Sequence, residues 1–200
     1  KSYELTYEMI DLLAGHARSA FEGVPVFLYG HSLGGNILLD YLLRKNPPVK
    51  GAIVTSPWLI LGFRPDRFKI ALASVVKHIM PGLLQPSGLD PEQLTHDKDV
   101  VERYISDDLV HDRISVSLFH NAVNSANHSL LHRGDLKVPL LLMHGGDDMI
   151  CSPEGSRLFA SGSSLTELKI WEGGYHELHN ELFSKDVFMF IKKWINSMIS

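Results

Sequence analysis

Apolar positions along this chain fall into two rhythms. Four short stretches are almost continuously apolar: residues 24–29 (VPVFLY), 49–55 (VKGAIVT), 138–144 (VPLLLMH) and 165–171 (LTELKIW). Runs of this length, rich in β-branched and aromatic residues and bounded by turn formers, predict strands, and the first reads as a strand buried on both faces of a parallel sheet. Between them the spacing becomes helical. Tyr3, Leu5, Tyr7, Met9, Ile10, Leu12 and Leu13 predict a helix ending near Gly15. Ile37, Leu38, Tyr41 and Leu42 predict a second, which Pro47 and Pro48 stop near Asn46. Phe183, Val187, Phe190, Ile191 and Trp194 predict a closing helix. Strands that alternate with helices, without internal repeats, indicate an α/β class with parallel pairing.

From about Leu59 to Lys137 the pattern changes. Gly62, Pro65, Pro81, Gly82, Pro86, Gly88 and Pro91 cut the segment into short pieces without a strand signal, so it reads as a helical insertion. Within it, residues 68–80 predict a helix carrying Phe68, Leu72, Val75, Val76 and Ile79 on one side. That face either covers a small core of its own or serves as a lid over a site beneath it.

Composition narrows the classes. With 44% hydrophobic and 21% charged residues, the 200-residue chain suits one domain with a sizeable core. A net charge of −4 with scattered Lys and Arg gives no electrostatic case for a nucleic-acid partner. The single Cys151 excludes an internal disulfide and suits a reducing, cytoplasmic setting. No apolar run approaches the ~20 residues of a membrane span.

The chemistry gathers around Gly30-His31-Ser32-Leu33-Gly34-Gly35, which lies between the first strand and its helix. Strand, sharp turn and helix are the setting in which G-x-S-x-G forms a nucleophile elbow, with Gly30 and Gly34 expected to lack a Cβ for steric reasons. The helix N-terminus faces the serine, so the Leu33 backbone N–H is an oxyanion donor. A serine hydroxyl needs an imidazole to take its proton and a carboxylate to orient that imidazole. Asp147 or Asp148, just past the third strand, and His176, just past the fourth, supply these groups in the Ser, Asp, His order of α/β-hydrolases. The pair His176 and His179 does not match the helical four-residue spacing of a zincin site, and no metal or other cofactor is expected. His31 and His144 read as structural neighbours of the motifs.

Three stretches together resemble the monoacylglycerol lipase and lysophospholipase group of serine hydrolases: residues 30–35 (GHSLGG), 140–151 (LLLMHGGDDMIC) and 171–179 (WEGGYHELH). The likeness continues at Thr55-Ser56-Pro57 and Tyr104-Ile105-Ser106-Asp107-Asp108 and so covers nearly the whole chain. It implies an α/β-hydrolase fold with residues 1–58 as core and elbow, 59–137 as helical cap, and 138–200 as core with the acid and histidine loops. It implies Ser32 as nucleophile, His176 as base and Asp148 as acid, since the His-Gly-x-x-Asp loop of the group aligns on Asp148. Cys151 would lie beside the acyl pocket and Leu72 and Val76 would line it from the cap, whose apolar face would also offer peripheral contact with a membrane surface. The substrate implied is a monoacylglycerol or a lysophospholipid, cleaved through an acyl-enzyme. Alternatives are a general carboxylesterase or thioesterase on the same three residues, or a non-catalytic binding module. Members of the group carry further strands before the elbow, including a His-Gly loop with the second oxyanion donor. None of these is present in the 200 residues, which are therefore expected to be a fragment of a longer hydrolase.

Overall fold

The computed structural model describes residues 3–63, 80 and 82–199. Its centre is a four-stranded parallel sheet in the order β1 (Phe27–His31), β2 (Gly51–Thr55), β5 (Leu140–Gly145), β6 (Thr166–Trp171). The registers are regular: Gly30 lies opposite Val54, Ile53 opposite Leu141, and Met143 opposite Lys169. Successive side chains alternate across the pleat. Ala52, Val54, Leu140 and Leu142 therefore join one core with Leu39, Leu42 and Phe159, while Ile53, Leu141 and Met143 join another with Leu178, Val187 and Trp194. Both faces of β2 and β5 are fully buried, which accounts for their unbroken apolar runs.

Helices cover the two faces. On the first face lie α1 (Glu4–Ala20), which sets Tyr3 and Tyr7 against Tyr41, and α2 (Leu33–Lys45). The helix α2 ends at Asn46 in the left-handed region, and the Asn46 N–H closes on Leu42 O at 3.2 Å. The closing helix, α6 (Ser184–Ile199), packs Val187 and Trp194 on the other face.

Residues between β2 and β5 include the short strands β3 (Leu84–Pro86) and β4 (Arg113–Ser115), the helix α3 (Lys98–Ser106) and the longer helix α4 (Val116–Leu131). After β5 the helix α5 (Pro153–Ser161) starts with Ser152 as its cap. Among the described residues no helix is long and apolar enough to cross a membrane.

Four expectations need correction. The first strand begins at Phe27, not Val24: Pro25 has no N–H for a ladder, and the Val24 N–H turns back to Phe21 O at 3.1 Å. Nor is it buried on both faces, because β1 is the edge of the described sheet and Tyr29 is 52% exposed. The helix α1 runs through Gly15 to Ala20, since a lone glycine costs a helix only about 1 kcal/mol, and it ends at its Phe21 cap, whose N–H closes on Ala17 O at 3.0 Å. The insertion is not free of strands: β3 and β4 pair antiparallel, Gln85 opposite Ile114, and at three residues each they are too short to carry a period. The helix expected at residues 68–80, with Leu72 and Val76, lies outside the described residues except for Met80.

Candidate active site

The turn after β1 explains its glycines. Ser32 sits at φ 54° and ψ −119°, a conformation that side chains rarely adopt, and it is pinned there by its neighbours. Its N–H donates to Thr55 O at 3.0 Å, while its carbonyl accepts from Asn36 N at 3.0 Å and Trp58 N at 3.1 Å. A Cβ on Gly30 would stand 2.7 Å from Gly34 O, so that glycine is obligatory. Gly34 itself faces open space, and the second steric requirement falls on Gly35, where a Cβ would lie 3.0 Å from Val54 Cγ1. Leu33 opens α2, which places its N–H at the positive end of that helix.

Ser32, His176 and Asp148 converge from the ends of three strands. The Ser32 Oγ is 2.9 Å from His176 Nε2, and His176 Nδ1 is 2.8 Å from Asp148 Oδ2. The carboxylate can only accept, so Nδ1 carries the hydrogen and Nε2 is left to accept from the serine hydroxyl. His176 is 2% exposed and Asp148 5%, whereas Asp147 points to solvent. The difference between adjacent carboxylates is made by the turn. Asp148 Oδ1 accepts from Ile150 N and Cys151 N, both at 2.9 Å, and Oδ2 also faces His144 Nε2 at 3.0 Å. Burial alone would push the Asp148 carboxyl up, but the hydrogen bonds from His144 and His176 outweigh it and hold it well below the usual carboxylate range.

His144, read from sequence as structural, holds the acid in place. Its Nε2 is directed at two acceptors, Asp148 Oδ2 and Cys151 O, each at 3.0 Å, so Nε2 bears the hydrogen and Nδ1 accepts from the Ser156 hydroxyl at 2.7 Å. Replacing His144 with leucine removes a charge-assisted bond from a buried carboxylate. The expected loss is about 1.5–3 kcal/mol of folding stability, measured by the denaturant midpoint.

Glu181 is a residue that sequence reasoning missed. It is 2% exposed, accepts from Tyr175 N at 2.8 Å and pairs with His96 Nδ1 at 3.0 Å, tying the histidine turn to the insertion. Glu177 N donates to Leu94 O at 2.8 Å in the same seam. A glutamate shortly before a helix carries no sign of this in the sequence, because its partner in the insertion, His96, lies 85 positions away.

Cys151 is 1% exposed among Leu94, Ile150, Trp58, Leu89 and Tyr104, and its thiol is pushed well above the usual range by burial and by Asp148. The thiolate is the reactive form. Iodoacetamide at neutral pH is therefore expected to leave native protein unlabelled and to modify the chain fully once it is unfolded, as read by mass. His31 is pushed down to about 3 by burial and by the adjacent His176 and His179, so it is a neutral imidazole at the edge of the site.

Comparison with known proteins bears on the family and the fold. Residues 1–182 match the model of the Hydrolase_4 family, described as serine aminopeptidase, S33. The chain is 33% identical over 99% of its length to an uncharacterized abhydrolase domain-containing protein of Dictyostelium discoideum, of which it spans only 21%. It is 31% identical over 94% of its length to the phospholipase YtpA of Bacillus subtilis, spanning 73% of that protein. The crystal structure of a monoacylglycerol lipase from Paleococcus ferrophilus superposes with a TM-score of 0.90 at 32% identity, over 99% of this chain and 76% of that one. The chain belongs to the Hydrolase_4 family of α/β-hydrolase-fold proteins, within the group that contains the monoacylglycerol lipases and lysophospholipases.

Proposed function

We propose that the protein containing this chain hydrolyses the ester bond of a monoacylglycerol or a lysophospholipid, with Ser32 as nucleophile. The observation that carries this reading is the continuous hydrogen-bonded line from Ser32 Oγ through His176 to Asp148, at 2.9 and 2.8 Å, in a nearly dry setting. His176 Nε2 takes the hydroxyl proton as Ser32 Oγ attacks the ester carbonyl, and Asp148 stabilises the imidazolium so formed. The Leu33 N–H faces the developing oxyanion. Collapse of the tetrahedral species passes the proton from His176 to the departing alcohol, leaving an acyl group on Ser32. Water, deprotonated by the same imidazole, then releases the fatty acid.

The lipid substrate class draws its support from the Bacillus phospholipase and the Paleococcus lipase, and from the apolar stripe read in residues 68–80. The test is fluorophosphonate labelling combined with intact mass on one sample of the natural protein. A substrate panel of monoacylglycerols, lysophospholipids, short-chain esters and thioesters follows. One label on Ser32 and preference for the two lipids is the expected result. Labelling with preference for short esters or thioesters moves the assignment to a general esterase or thioesterase, and absence of a label overturns the enzymatic reading in favour of a binding module.

A further inference from the structure

The ligand atoms of His31, Glu177 and His179 lie within 4.8 Å of one another, each residue partly buried. They come from two separate elements: His31 ends β1, while Glu177 and His179 flank the fully buried Leu178 on the turn that follows His176. The pair His176 and His179 fails the helical spacing rule, but the fold supplies a different partner for His179 from across the sheet.

Two of the three are prepared for a ligand by what holds their other side. The His31 Nδ1 faces Thr55 Oγ1 at 3.0 Å, which leaves the Nε2 lone pair available. Asn180 Nδ2 donates to Glu177 Oε2 at 2.7 Å and orients that carboxylate. Metal-binding imidazoles and carboxylates are characteristically held in this way by an outer layer of hydrogen bonds. Independently, the His179 Nδ1 is buried with no hydrogen-bond partner, a cost that a bound ion would remove.

We propose that His31, Glu177 and His179 form a binding site for a zinc-type divalent cation. Two imidazole nitrogens and one carboxylate oxygen suit zinc, whereas magnesium and calcium require mostly oxygen donors. Tetrahedral ligands at roughly 2.0–2.2 Å from zinc stand roughly 3.3 Å apart. The group must therefore close by up to about 1.5 Å for an ion to bind. The site does not depend on Ser32 being a nucleophile.

The test is calorimetric titration of the full protein with Zn²⁺, alongside His179→Ala and Glu177→Gln. The expected result is one saturable equivalent in the parent protein, with affinity reduced about tenfold or more in each variant. Glu177→Gln is isosteric and keeps the comparison readable if His179→Ala does not fold, which circular-dichroism melts will report. No saturable uptake by the parent overturns the proposal. So does uptake unchanged in a folded variant, which would place the ion on other histidines.

Discussion

Ser32→Ala is expected to abolish fluorophosphonate labelling and to reduce ester hydrolysis on the order of 10⁶-fold in kcat, the scale seen when a triad nucleophile is removed. The substitution deletes a single oxygen. The backbone bonds from Ser32 N to Thr55 O and from Asn36 N to Ser32 O remain, as does the close approach of Gly30 to Gly34, so the elbow keeps its shape. The melting curve should therefore superpose on that of the parent while activity vanishes. Hydrolysis retained at more than a few per cent would show that another group attacks the ester.

The second large effect separates two neighbouring carboxylates. In Asp148→Asn the amide oxygen takes the place of Oδ1, where Ile150 N and Cys151 N require an acceptor. The NH₂ group must then face both His176 Nδ1 and His144 Nε2, which are donors in the parent. Relief comes by moving the His176 hydrogen to Nε2, and that nitrogen can then no longer accept from Ser32. The expected loss is about 10⁴-fold in kcat, as for the equivalent change in other triads. Asp147→Asn alters an exposed side chain and should stay within about threefold, because surface substitutions of this kind move little. Parallel labelling rates with a fluorophosphonate check both, and the reverse ranking would reassign the acid.

How far the sequence alone reaches is clear at these residues. Ser32 was legible because its glycines, strand and helix are contiguous. So was His176, by its place after the last strand. Residue type could not separate Asp147 from Asp148; the resemblance selected Asp148, and the turn that buries it depends on the backbone direction of Ile150 and Cys151. His144 was legible as a structural neighbour of the acid loop, whereas the role of Glu181 was not, because His96 meets it only in the folded chain. The elbow's close approaches fall within the expected motif but at one different position, since Gly35 rather than Gly34 meets Val54. Strands β3 and β4 were missed for want of length, whereas β2 and β5, buried on both faces, announced themselves. The burial of β1 was not legible because a pattern of apolar residues does not register which edge of a strand has a partner.

The wide separation of Ser32 from His176, 144 positions along the chain, has a consequence for the life of the molecule before it is finished. Contacts this distant form late, since a long loop must close before they contribute. An emerging or half-folded polypeptide carries Ser32 as an ordinary alcohol, with no imidazole to take its proton. On the proposed function, reactivity is thus withheld until β1, β5 and β6 stand in one sheet.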